Sequence, residues 1–297
     1  MSPQSPYAER LAAIPVTRAT VQIDGSETSY RIYGDEDAPV TVVMVHGFRG
    51  DHHGLEPVIA HLAGYRVIAP DLPGFGESAP LAASAHSIEG YAGWLVRFVR
   101  ELRVEGQVVL GHSFGSIVVS AAVSSGLRPS AVILVNPIAA PALSGPRGVF
   151  TRLAVFYYWL AARLPARLGF ALLRNRLIVR IMSVTMAKTR DRGLRRWIHD
   201  QHDRYFSSFS SRDVVLEAFT ASVSHDVSEY AATVTPPTLL VAADRDDITP
   251  VAAQHRLATQ FADARLEVLP DVGHLIHYEM PEQAAIAIRR FLVERLA

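Results

Sequence analysis

Short apolar runs rich in Val, Ile and Leu alternate with helix-length stretches along most of this chain, and few folds accept that rhythm. The run Val40-Thr41-Val42-Val43-Met44-Val45 is nearly unbroken, which suits a strand covered on both faces of a sheet. Similar runs occupy residues 65–69, 107–110, 131–135, 238–243 and 266–269. Between them lie residues 53–63, 87–102, 114–125 and 251–261, and residues 281–296 close the series. Alternation of this kind predicts an α/β fold, a mostly parallel twisted sheet flanked by helices on both faces. Ahead of it, residues 20–24 and 28–33 flank Gly25-Ser26 and read as a hairpin.

Residues 137–234 break the rhythm. They hold no β-rich run, are helical in composition, and are crowded with Arg and aromatic side chains. Pro137, Pro141 and Pro146 open the segment, and Pro236-Pro237 close it just before the next strand. The expectation is a core built from residues 1–136 and 235–297, with 137–234 as a helical insertion between two consecutive strands.

Composition removes several functions. With no cysteine in the chain, disulfides, thiolate metal sites and Cys nucleophiles are all excluded. The 29 Lys+Arg balance 29 Asp+Glu, so no global field recruits nucleic acid, and no nucleic-acid module is present. Met1 to Arg10 is polar and Pro-rich, without a basic region followed by an apolar run, which implies no secretory signal. The longest near-uncharged apolar stretch, residues 153–162, is about half the ~20 residues that a membrane-spanning helix needs. A cytoplasmic location is expected.

The sequence Gly111-His112-Ser113-Phe114-Gly115 follows an apolar strand and opens an apolar helix. A Ser on so sharp a strand-to-helix turn is pushed clear of the sheet, and glycines flank it because a Cβ there would collide with neighbouring backbone. Its hydroxyl needs a base within hydrogen-bond reach. Of 12 His, His274 is best placed, in the loop leaving the last strand at the edge that also carries the turn. His112 and His277 read as packing residues. A carboxylate must hold the imidazole in one tautomer, and Asp244-Arg245-Asp246-Asp247 ends the strand at 238–243, so Asp246 or Asp244 is the candidate. Backbone amides of Phe114 and of Phe48, in His46-Gly47-Phe48-Arg49-Gly50, are the candidate oxyanion donors.

These segments, together with Asp71-Leu72-Pro73-Gly74-Phe75-Gly76-Glu77-Ser78 and Asp246-Asp247-Ile248-Thr249-Pro250, are collinear from near residue 40 to near 280. In that order the chain resembles the α/β-hydrolase fold superfamily. The resemblance implies that Asp246 rather than Asp244 is the acid, that residues 71–78 form a structural turn, and that 137–234 correspond to the family's cap or lid. Ala243 departs from the pattern, since relatives often have Gly there. The superfamily also holds C–C hydrolases, acyl-transferring enzymes, lyases and receptors, so fold alone does not assign function. Relatives that open epoxides or displace halide resemble one another in an Asp at the turn, which Ser113 argues against. Leu275-Ile276 after His274 weaken the C–C hydrolase reading, since those relatives often carry Trp near that His.

The resulting expectation is a serine hydrolase of a small, hydrophobic carboxylic ester, with Ser113, His274 and Asp246 as the triad and no metal or organic cofactor required. Between Arg147 and Arg196 twelve Lys/Arg face one acid, Asp191, with Phe150, Phe156, Tyr157, Tyr158, Trp159 and Trp197 interleaved. Two readings of this segment stay open. It rests peripherally on an anionic membrane, or its Arg stems cover apolar surface while their heads face water. The sequence carries no reading of oligomeric state.

Overall fold

The computed structural model describes residues 3–140 and 148–296; Met1, Pro141, Pro146 and Arg147 lie outside them, as does the side chain of Phe150. After α1 (Ala8–Ala12) come β1 (Val16–Ile23), β2 (Ser26–Tyr33), β3 (Thr41–Val45), α2 (Glu56–Ile59) and β4 (Arg66–Pro70). Then follow α3 (Ile88–Glu101), β5 (Val108–His112), α4 (Phe114–Ser124) and β6 (Val132–Val135). Five helices come next: α5 (Gly148–Arg163), α6 (Ala166–Leu173), α7 (Arg176–Met186), α8 (Arg192–Tyr205) and α9 (Arg212–Ser224). The chain ends with β7 (Thr238–Ala243), α10 (Val251–Ala258), β8 (Ala264–Leu269), α11 (Ile276–Glu279) and α12 (Pro281–Leu296).

The strands form one sheet in the order β1-β2-β4-β3-β5-β6-β7-β8, with β3 to β8 parallel and β1 and β2 antiparallel to their neighbours. Asp24 and Gly25 both take positive φ, 48° and 81°, which is the two-residue turn whose twist suits a hairpin. Each central strand is buried along its whole length, and its side chains alternate between two cores. Val43, Val45, Val109, Val132 and Leu240 face α3 and α4 with Trp94, Phe98 and Ile117. Val42, Met44, Val108, Ile133 and Val241 face α2 and α12 with Ile59, Ile288 and Phe291. Burying each of these aliphatic side chains contributes about 1.5–3 kcal/mol.

Two elements depart from the expectation. β1 begins at Val16, four residues ahead of the hairpin read from pattern, because its first residues lie exposed on the sheet edge and show no apolar alternation. The helix expected over 53–63 is a 3-10 turn, His52–Gly54, followed by the single turn α2. The Asp51 carboxylate accepts the His53 amide at 3.0 Å and caps that tight turn, and the chain then restarts at Pro57, in the first turn of α2 where a missing N–H costs nothing.

All five helices from α5 to α9 lie between β6 and β7. They are fastened to loops of the sheet. Phe75 pairs with Phe209, Gly76 donates its amide to Ser208 O at 2.8 Å, and Ser210 donates to Gly74 O at 2.9 Å. Among the described residues no helix is long and apolar enough to cross a membrane.

Candidate active site

β5 runs through Gly111 and His112, and Ser113 then turns the chain with φ 52° and ψ −117°. That conformation is costly for any residue with a Cβ. It is held by Ser113 N donating to Val135 O at 3.0 Å and Ser116 N donating to Ser113 O at 2.8 Å. A Cβ on Gly111 would overlap the Gly115 carbonyl, and one on Gly115 would overlap the carbonyls of Val45 and His46. Glycine is therefore required on both sides of the turn. α4 starts directly after Ser113, so the positive end of its dipole faces the hydroxyl's surroundings.

His274 lies in the loop between β8 and α11, and its Nε2 is 2.8 Å from Ser113 Oγ. Its Nδ1 is 2.8 Å from Asp246 Oδ2. A carboxylate can only accept here, so Nδ1 carries the proton and Nε2 accepts from the Ser113 hydroxyl. Asp246 Oδ1 in turn accepts the amides of Ile248 at 2.7 Å and Thr249 at 3.1 Å. Burial alone would push the Asp246 carboxyl up, but His274 and these amides outweigh it and hold it below the ordinary carboxylate value. Asp244 is exposed at the end of β7, and its amide bonds to Leu269 O. The structure thus brings Ser113, His274 and Asp246 together and leaves Asp244 outside.

Phe114 is the first residue of α4, so its amide has no intrahelical acceptor. The Phe48 amide likewise has no acceptor among the described residues. A Cβ at Gly47 would lie 3.2 Å from Ser113 Cβ and 3.1 Å from His112 Nδ1, so glycine lets this loop approach the turn. His46 anchors it by donating from Nδ1 to Gly47 O at 2.8 Å and accepting the Leu72 amide on Nε2 at 2.8 Å. The Phe48 ring packs on Phe75, Phe114, Tyr158 and Phe219 at centroid distances of 6.0–6.3 Å. Residues 71–78 brace the same region: Asp71 Oδ1 takes His52 Nδ1 at 2.8 Å, and Oδ2 takes the Glu77 amide at 2.9 Å. Burial opposes its ionisation, but His52 overrides this and its carboxyl is lowered to about 2.

Two residues escaped the sequence reading. Asn136, fully buried at the end of β6 with φ 45°, donates from Nδ2 to Asp246 Oδ2 at 3.1 Å. A polar residue ending an apolar strand at the site's edge was the available signal. Arg49 is also fully buried. It donates to Phe206 O at 3.0 Å, Tyr158 Oη at 3.1 Å and Leu173 O at 2.6 Å, and stacks its guanidinium over Phe206 and Phe209. One side chain thus ties the Phe48 loop to α5, the end of α6 and the end of α8. Those partners lie more than 100 residues away in sequence, so no local pattern announces them.

Asp51, His52 and His53 offer ligand atoms within 4.8 Å of one another. Their Nδ1 atoms are engaged within the loop, that of His52 with Asp71 and that of His53 with Asp51 at 3.1 Å. The group braces the loop.

Behind His274 lies a file of buried imidazoles. His112 is 5.8 Å from His274 and 4.1 Å from His277, ring to ring, and His277 leads through Tyr278 to His202. Burial pushes His112 and His202 down to about 3 and His277 well below the ordinary value. The unfolded chain protonates these rings near pH 6.5, while the folded chain resists until far lower pH. The unfolded state therefore binds more protons in that window, and stability falls as pH drops below 6.5. His53, raised by its Asp51 hydrogen bond and charge against the effect of burial, works the other way. From pH 7 to 5, His112 and His202 together remove on the order of 4 kcal/mol. A melting temperature roughly 10 °C lower at pH 5 is expected by circular dichroism; an unchanged one would contradict the burial of these rings.

A model of the alpha/beta hydrolase family matches residues 42–287. Among curated proteins, the Uncharacterized hydrolase YugF of Bacillus subtilis (strain 168) is 27% identical over 287 residues, covering 95% of this chain and 99% of that protein. Among solved structures, a thermophilic esterase from Thermogutta terrifontis superposes with a TM-score of 0.74 at 23% identity, covering 95% of this chain and 100% of that one. An esterase from Exiguobacterium antarcticum gives 0.75 at 19% identity, covering 93% and 100%. At such identities the two structures speak for the fold alone.

Proposed function

Because this chain belongs to the alpha/beta hydrolase family, we propose that it is a serine hydrolase that cleaves a hydrophobic carboxylic ester through an acyl-enzyme on Ser113. The observation that carries this reading is the unbroken hydrogen-bonded line from Ser113 Oγ through His274 to Asp246, at 2.8 Å and 2.8 Å. In the first half-reaction Ser113 Oγ attacks the ester carbonyl carbon while its proton passes to His274 Nε2. Asp246 stabilises the imidazolium. The amides of Phe48 and Phe114 stabilise the oxyanion, each worth about 3 kcal/mol by analogy with a known serine enzyme. His274 then gives its proton to the departing alkoxide, the C–O bond breaks, and the alcohol leaves. Water, deprotonated by His274, attacks the acyl carbon, the bond from that carbon to Ser113 Oγ breaks, and His274 returns the proton to Oγ as the free acid leaves.

Helices α5 to α9 act as the cap in this reading, with Arg49 holding them to the oxyanion loop. The rings of Phe48, Phe75, Phe114, Tyr158 and Phe219 pack as one apolar cluster on the oxyanion loop, in this reading the wall of the acyl site, and Tyr158 and Phe219 stack at 3.7 Å. Such a wall favours an apolar acyl or alkyl group over a charged one. The test is a panel of p-nitrophenyl esters graded by acyl length, run beside a β-diketone. Ester hydrolysis with kcat/KM rising with acyl length is expected; cleavage of the β-diketone with inert esters would replace this reading by carbon–carbon hydrolysis.

A further inference from the structure

Of the twelve exposed large hydrophobic residues among those described, seven fall between residues 153 and 184. On α5, Phe156 and Trp159 are 57% and 49% exposed, stack on each other, and carry Arg163 over the Trp159 ring at 5.2 Å. Spaced i, i+3, i+7, the three share one helix face, while Tyr158 and Ala161 on the other side are buried. On α7, Leu177, Ile181 and Val184 are 69%, 56% and 56% exposed, opposite the buried Val179 and Ser183. α7 therefore turns a full apolar stripe outward, against the usual inward direction for a globular helix.

The segment that carries these stripes has charge of one sign. Residues 148–190 hold seven Arg and one Lys and no Asp or Glu. Arg180 pairs with Asp203 and Lys188 with Asp247, but Arg152, Arg163, Arg167, Arg174 and Arg176 have no carboxylate partner among the described residues. A second copy of the chain is a poor cover, since a two-fold interface would set these like charges against each other. A surface both apolar within and negatively charged at its boundary fits both features. We propose that the outward faces of α5 and α7 dock on an anionic phospholipid membrane. Phe156, Trp159, Leu177, Ile181 and Val184 enter the acyl boundary, and the unpaired arginines meet lipid phosphates. The inference stands apart from the ester reading, because docking is measured without turnover.

The test uses the full chain with vesicles of phosphatidylglycerol and phosphatidylcholine, or of phosphatidylcholine alone. Trp94 and Trp197 are buried and Trp159 is not, so a change in tryptophan emission on binding reports Trp159. Expected are a blue shift and shielding from acrylamide with anionic vesicles, and affinity at least roughly tenfold above that for neutral ones. Release by about 0.5 M salt is also expected. F156S/I181Q and R163Q/R167Q should each weaken binding roughly tenfold with unchanged melting temperature, since all four side chains are exposed. Equal binding to neutral vesicles, no change in emission, or binding indifferent to both double variants would overturn the proposal. So would a dimer in sedimentation that Ile181→Gln dissociates.

Discussion

Ser113→Ala and His274→Ala each lower kcat by about 10⁶-fold toward the best ester substrate, as in a known serine hydrolase, with unchanged circular dichroism. The two losses are expected to be equal and not additive, because the residues act as one unit. Without the imidazole, the Ser113 hydroxyl keeps its proton and its weak nucleophilicity; without the hydroxyl, the imidazole has nothing to activate but water. The fold is spared because neither side chain belongs to a hydrophobic core: Ser113 is half-buried at the mouth of the turn, and His274, although buried, sits in a loop. Ser113→Ala keeps a Cβ at the same strained φ, so the backbone of the turn is no more burdened than before. Residual rates come from the oxyanion donors and from binding alone, and they should survive in both variants. Steady-state kinetics on highly purified protein measures them.

Asp246→Asn costs about 10⁴-fold, by analogy with the same change in a known serine protease, whereas Asp244→Asn leaves the rate near that of the wild type. The argument is one of hydrogen-bond direction. Oδ1 of residue 246 accepts two backbone amides, from Ile248 and Thr249, so an Asn would keep its oxygen there. Its amide nitrogen would then face His274 Nδ1 and the Asn136 amide, where the carboxylate now accepts from both. Donor against donor, His274 would have to shed the Nδ1 proton and carry it on Nε2, where it can no longer accept from Ser113. The imidazole would be held in place in the wrong tautomer. Asp244 is exposed and bonds to nothing in this line, so its charge is screened. Comparing kcat/KM for the two variants separates them, and a crippled Asp244→Asn would move the acid to that residue.

The parts of this molecule that could be read in advance are those whose chemistry is local. β3, β5, β6 and β7 are visible as short runs rich in aliphatic residues because both of their faces are buried. Ser113 is visible because a tight turn needs its glycines beside it, and His274 because it follows the last strand at the same sheet edge. What is not visible depends on distant partners or on solvent. The start of β1 has no pattern, since an exposed edge strand needs none. Arg49 looks like one more polar loop residue, and only folding shows it satisfied by Phe206, Tyr158 and Leu173. Asn136 has the same history with Asp246. The choice between Asp244 and Asp246 is likewise a matter of which carboxylate folds inward, and two residues of loop decide it.

The basic segment between Arg147 and Arg196 allows two readings from composition, and the structure bears on both. Tyr158 and Trp197 are buried and serve packing, while Phe156, Trp159 and the outward stripe of α7 are exposed. Aromatic content alone does not separate these roles. Burial does.

The central claim is that the Ser113 hydroxyl is made nucleophilic by His274. Its most direct test is intact-protein mass spectrometry after treatment with a fluorophosphonate, which is attacked by an activated serine and loses fluoride. A single adduct mapped to Ser113 is expected on the wild type, with none on Ser113→Ala and labelling of His274→Ala slowed by orders of magnitude. Full labelling at another residue, or labelling of His274→Ala at the wild-type rate, would contradict it.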